Sequence, residues 1–218
     1  MRGAIAVVGA LLLLAGCGAS GTLSARQSVE RAQERTAAFG TFRFSVAGGA
    51  QGATFAGTGA VDARAGRSHL SVEAGAHGEA ELIVDGSILY ARLGGERWLS
   101  ADLRGLGSLL SGRLVELTEL AEQGPKSLLD RLRSVGEVEE LGEEQVRGVQ
   151  TTRYRATVEE RGERATVLDA WVDGDGLVRR LRAAELTVEL YDFGAEVRVV
   201  PPPASRVVDV AELLGGGA

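Results

Sequence analysis

The first sixteen positions are apolar almost throughout, with Arg2 their only charge, and from Leu23 onward the chain alternates between helical and strand periods. Ala25, Val29, Ala32, Thr36 and Phe39 recur at the spacing of one helix face. Ser24-Ala25-Arg26-Gln27 predicts a capping box, in which Ser24 and Gln27 each accept from the other's backbone amide. Gly40 ends that helix. The period then falls to two, as Phe42, Phe44 and Val46 alternate with Arg43 and Ser45 in the manner of a strand with one buried face. Turn signals at Gly48-Gly49, Ala65-Gly66, Gly75 to Gly78, Asp85-Gly86 and Gly94-Gly95 cut residues 40–103 into six short runs, a strand meander in which Asp85-Gly86 is the clearest hairpin.

Between Leu103 and Gly136 the helical period returns. Leu106, Leu110, Leu114, Leu117 and Ala121 form one stripe, and Leu128, Leu129, Leu132 and Val135 another. Pro125 is placed to start the second helix and Gly136 to end it. Gly105, Gly107 and Gly112 fall in the first, each costing about 1 kcal/mol relative to alanine, which predicts a loosely held segment.

Strands resume after Gly136, over Val149 to Val158, Arg164 to Val172, Leu177 to Leu190 and Glu196 to Val200, with Asp173-Gly174-Asp175-Gly176 as a turn. Within 177–190 the apolar set moves from odd positions (Leu177, Leu181) to even ones (Leu186, Val188, Leu190). A one-residue slip turns every side chain to the other face, so the pattern predicts a bulge or bend near Ala183-Ala184. The chain leaves through the stiff Pro201-Pro202-Pro203 to a short apolar end at Val207, Val208, Leu213 and Leu214. Residues 215–218 read as a disordered tail. No Ser/Pro-rich linker divides residues 23–214, which read as one α+β domain.

Charge and motif content narrow the chemistry. The chain carries 24 basic and 30 acidic residues, and no basic stripe interleaved with aromatics occurs, which argues against nucleic acid as a partner. His69 and His77, eight apart, do not have a metal-ligand spacing. No Gly-x-Ser-x-Gly elbow, phosphate loop or dinucleotide fingerprint is present. Asp173-Gly174-Asp175-Gly176 lacks the further acids and closing glutamate of a calcium loop. Glu137, Glu139, Glu140, Glu143 and Glu144 read as the solvated face of a polar connection. Neither catalytic residues, a metal nor a cofactor is expected.

Leu14-Ala15-Gly16-Cys17, closing the apolar start, resembles the lipobox of bacterial lipoproteins. Residues 3–16 fall short of the roughly 20 apolar residues that span a bilayer, so a cleaved signal peptide over residues 1–16 is the expectation. The resemblance implies that Cys17, the only cysteine, carries a diacylglyceryl thioether, and usually that a third chain sits on the new amino terminus. Two or more buried chains give stable anchoring where one does not. Residues 17–22 then form a tether reaching at most about 21 Å from the cell membrane, on its extracytoplasmic face. Loss of Arg2 leaves a net charge of −7, which anionic headgroups repel, so retention rests on the acyl chains.

The order of lipobox, helix, strand meander, paired Leu-rich helices, strands and Pro-rich exit resembles the LolA-like lipoproteins of actinobacteria, the group that includes LppX and LprG. Residues 84–90 (Val-Asp-Gly-Ser-Ile-Leu-Tyr), Trp98-Leu99, Pro125 through Leu132, residues 149–154 and Ala170-Trp171-Val172-Asp173 with Gly176-Leu177-Val178-Arg179 carry the likeness. It implies an antiparallel sheet curled into an incomplete β-barrel, with helices on its concave side and a gap that holds acyl chains of a lipid or glycolipid. Phe42, Phe44 and Val46 on the first strand, and Leu106, Leu110, Leu114 and Leu117 on the first Leu-rich helix, are the candidate walls of that gap. Two readings stay open: a membrane-anchored carrier of lipid or acylated glycolipid, and a non-catalytic structural or regulatory lipoprotein with a filled core that binds an envelope transporter or another protein partner.

Overall fold

A computed structural model describes residues 23–50, 53–73, 78–104, 125–158 and 165–215. Helix α1 (Ala25–Ala38) starts at the predicted capping box, with Gln27 N donating to Ser24 Oγ at 3.3 Å and Ser24 N to Gln27 Oε1 at 3.1 Å. Gly40, at φ +74°, turns the chain out of the helix where a side chain would be strained.

The predicted meander is β1 (Thr41–Ala50), β2 (Ala53–Asp62), β3 (Arg67–Glu73), β4 (Glu79–Asp85), β5 (Ile88–Leu93) and β6 (Trp98–Asp102). Asp85 pairs with Ile88 across Gly86-Ser87, the expected two-residue hairpin. Gly48-Gly49 is not a turn: both residues continue β1, paired with Phe55 and Thr54. An ideal Cβ at Gly48 would lie 2.6 Å from Phe55 Cζ, so this glycine makes room for a ring within the sheet.

Helix α2 (Pro125–Arg131) begins at the expected proline and runs into a 3-10 turn, Leu132–Ser134. Gly136 does not end it. Val135 and Gly136 already belong to β7 (Val135–Val146), so the glutamate cluster read as a polar connection is a strand. It follows neither the period of two nor that of 3.6, because bulges at Val135/Val138 and Glu140/Gly142 interrupt its pairing with β8. β7 is an edge strand, and charges with bulges there discourage edge-to-edge pairing.

β8 (Val149–Val158) has its expected bounds, and β9 (Thr166–Asp173) closes at the Asp173-Gly174-Asp175-Gly176 turn, where Asp173 Oδ1 accepts from Asp175 N and Leu177 N. The expected single strand Leu177 to Leu190 is two: β10 (Val178–Ala183) and β11 (Leu186–Tyr191). The phase change at Ala183-Ala184 marks a two-residue hairpin with Ala184 at φ +47°, which sets Leu181 opposite Val188. Glu196 to Val200, expected as a strand, joins no strand of the sheet. β12 (Val207–Asp209) and α3 (Val210–Gly215) follow, and Gly215, expected in a disordered tail, closes that helix.

Among the described residues twelve strands join one sheet, in the order β12-β6-β5-β4-β3-β2-β1-β11-β10-β9-β8-β7, antiparallel except for β12 beside β6. The sheet is curled and unclosed, with β7 and β12 at its edges. One concave row crosses seven strands through Leu190, Phe44, Gly59, Leu70, Leu82, Ala91 and Leu99. α1 and α2 sit on this side. Thr36 of α1 supplies its Oγ1 to the amide of Val178, at 2.9 Å, where the β9–β10 register shifts. The buried helix hydroxyl thus takes an amide at an irregular point of the ladder.

Candidate functional site

Of the predicted wall residues, Phe42, Phe44 and Val46 project from β1 into the concave side and are 2%, 1% and 5% exposed. They share one core cluster with Val29 and Ala32 of α1, Leu128 and Leu129 of α2, Leu132, and Leu181, Val188 and Leu190. In the described residues they pack as core. Cys17, Leu106, Leu110, Leu114, Leu117 and His77 lie outside the described residues.

The concave face is divided. A second apolar cluster, Leu82, Leu89 and Ala91 with Leu70, Val84 and Leu103, belongs to β3, β4, β5 and the residue after β6, and among the described residues shares only Leu70 with the main core. Between the two halves, at one rim, a groove of about 450 Å³ runs between the turns at Gly66 and Gly86 and the first turn of α2. Val61, Val84, Leu103 and Pro125 give it apolar walls; Arg67, Ser68, Lys126, Ser127 and Asp130 line its lip. Pockets for small ligands run from roughly 300 to 1,000 Å³, with apolar walls and a few polar groups, and this groove has that composition.

The convex face is built differently. Trp171 of β9 is 2% exposed, roofed by the guanidinium groups of Arg153, Arg180 and Arg182 at 5.0, 5.2 and 5.7 Å from its ring centre. Its Nε1 donates to Glu144 Oε2 at 2.8 Å. Beside it Asp169 is buried and accepts from Arg153, Arg155 and Arg182 at 2.6, 2.9 and 2.7 Å. Burial would raise the Asp169 pKa, but hydrogen bonds from Arg155, Arg153 and Arg182 outweigh it and hold the carboxyl at about 2. Sequence reading missed this network. Its signal was the repeated pairing at i and i+2 of Arg153 with Arg155, Asp169 with Trp171 and Arg180 with Arg182, which places all six on one face of three adjacent strands.

Elsewhere on this face His69 Nε2 lies 3.0 Å from Glu81 Oε1, and Glu81 also accepts from Arg92. Among the described residues no three His, Cys, Asp or Glu side chains could hold a metal ion, and no helix is long and apolar enough to cross a membrane.

Two solved structures share the architecture. Lipoprotein LppX of Mycobacterium tuberculosis superposes with a TM-score of 0.57 at 16% identity, over 81% of this chain and 98% of its own. LprF of Mycobacterium bovis does so with a TM-score of 0.55 at 13% identity, over 82% and 96%. The chain has the LppX and LprF fold. The resemblance read from the sequence thus stands, and so does its curled, incomplete barrel. In sequence, the chain is 30% identical over 169 residues to an uncharacterized 31.2 kDa protein of Streptomyces griseus encoded between rplA and rplJ, 61% of this chain and 54% of that one. It is 33% identical over 134 residues to a Streptomyces coelicolor protein that carries the name of a lipoprotein, 56% and 46%. The chain spans about half the length of these relatives. No family model matches it.

Proposed function

We propose that this protein is a lipid-anchored carrier that holds the acyl chains of a lipid or acylated glycolipid between its curled sheet and its helices, on the extracytoplasmic face of the cell membrane. The reading rests on the divided concave face: one half is a packed core, whereas the other has its own apolar cluster beside an apolar-walled groove at the rim. The lipobox-like Leu14-Ala15-Gly16-Cys17 supports anchoring through Cys17, and the lipoprotein names of LppX and of the Streptomyces coelicolor relative agree with it. The mechanism is partition. Acyl tails exchange the bilayer for apolar protein surface at about 0.8 kcal/mol per buried CH₂, and no bond is made or broken. Phe42, Phe44 and Val46 form the floor under the helices, and Leu106, Leu110, Leu114 and Leu117 complete the walls.

Native mass spectrometry of residues 23–218, which contain every element described, tests this after expression in an actinobacterial host. A retained phospholipid or acylated glycolipid is the expected result. A bare protein that also refuses added lipid would overturn the reading and favour the partner-binding lipoprotein with a filled core.

A further inference from the structure

The chain reaches its last strand by a long crossing. Past β11, Gly194 N donates to the Thr41 carbonyl oxygen at 2.9 Å and Thr41 Oγ1 to that of Ala195 at 2.9 Å, which pins the segment beside the start of β1. β12 lies next to β6, five places along the sheet from β1. Residues 196–206 span the gap over the convex face, where Val197 and Val199 pack with Ile83, Tyr90 and Trp98. Among the described residues no hydrogen bond or ion pair joins residues 196–206 to the sheet, and the bond from Arg206 N to Pro203 O, at 2.9 Å, is internal to them.

The docked end is small. Three residues of β12 pair with β6, and Val210 of α3 packs on Ala101. These contacts involve only the arm and its acceptor, so they form alike whether the acceptor belongs to the same chain or to another copy. Only the connection differs. Five strand steps of 4.7–4.9 Å amount to about 24 Å, whereas residues 196–206 reach at most about 36–40 Å. Pro201-Pro202-Pro203 keep part of that length extended, so an undocked arm stays open instead of collapsing onto its own body. Gly194, at φ +74°, is a hinge free to take either sign of φ.

We infer that residues 196–215 are an exchangeable arm whose second acceptor is the β6 edge of another copy of this chain, and that reciprocal exchange gives a closed two-fold dimer. Docking on the chain's own β6 is intramolecular and prevails in dilute solution. Effective concentrations of short tethers are of order millimolar, which sets the concentration at which exchange competes. Reciprocal exchange covers the β6 edge of both copies, so assembly stops at two. The inference is independent of any cargo on the concave side.

The test uses the full chain in neutral detergent with Cys17→Ser, which removes its only cysteine. Ser100 of β6 and Asp209 of β12 are register partners, so Ser100→Cys and Asp209→Cys set two thiols where a disulfide fits. Chains carrying one substitution each are refolded together from urea and oxidised, at about 1 mM and again after roughly 100-fold dilution. The expected product is a covalent dimer whose 100–209 bond joins two chains, mapped by peptide mass spectrometry, with a yield about tenfold lower in the dilute sample. A chain carrying both substitutions should form the same bond within itself when dilute. Deleting Pro201–Pro203 from that double variant leaves a reach of at most about 26–29 Å, too short to pass over the convex side chains as well, so its bond should form between chains even when dilute. Bonds only within chains, at both concentrations and both arm lengths, would overturn the exchange. So would the absence of any 100–209 bond in the double variant, because the arm would then not dock on β6. Open-ended oligomers in place of dimers would overturn the closed two-fold form.

Discussion

Phe44 lies across Gly59, its partner on the neighbouring strand, so that an ideal Cβ on the glycine would fall inside the van der Waals radius of the Phe44 ring and of the His69 carbonyl oxygen. The absent side chain lets the Phe44 ring lie against the sheet, under the helices. Gly59→Ala should therefore overpack the core and destabilise the fold by about 1–3 kcal/mol, seen as a lower midpoint in urea denaturation. Gly95→Ala, where a Cβ would meet nothing within 4 Å, should move that midpoint little.

Asp169 makes stability depend on acid. Its folded pKa of about 2 lies below the ordinary value of about 3.9, so its contribution is complete above pH 4 and is lost as pH falls from about 4 toward 2. Asp169→Asn leaves Arg153, Arg155 and Arg182 without their shared anion and should cost about 3 kcal/mol at pH 7. The gap between wild type and variant should narrow as urea unfolding is repeated down to pH 2.5. A gap that stays constant would show that Asp169 does not titrate in this range.

Gln33 is 1% exposed on the inward face of α1, and its Nε2 donates to nothing among the described residues. A buried donor without an acceptor costs about 1–3 kcal/mol. Gln33→Leu, of similar size and apolar, should raise the thermal unfolding temperature by several degrees, read by calorimetry.

The C-terminal segment guards an edge. Val207 packs with Trp98, Ile83 and Val199 on the convex side, and Val210 with Ala101 on the concave side, so residues 207–210 wrap β6 from both faces. Truncation after Pro203 removes β12 and should expose both the β6 edge and Trp98. The expected outcome is self-association in size-exclusion chromatography with light scattering, together with a red-shifted tryptophan emission.

Much of this architecture is legible in local signals. Ser24 and Gln27 announced α1 because capping depends on four consecutive residues. Asp85-Gly86 announced a hairpin because few sequences suit that turn. β7 was illegible because its bulges erase the period and its glutamates face water along an edge. The β10–β11 hairpin hid for another reason: Ala184 adopts φ +47° with no glycine to mark it, and the reversal showed only as a phase slip.

For the groove and the convex network, side-chain type was visible and position was not. Val61, Val84, Leu103 and Lys126 come from four segments, and nothing local to any of them specifies that they meet. The sequence by itself determined the helix cap, the turns that follow β2, β4 and β5, the bounds of β8, the alternation that buries Phe42, Phe44 and Val46, and the likeness to LppX. Only the tertiary structure decided which strands lie side by side, that the glutamate run is an edge, and that the concave face is split beside a charged lip. The physical reason is range: caps, turns and periodicity act over a few residues, whereas strand order and groove composition arise from contacts between residues far apart in the chain, which exist only once the sheet has curled.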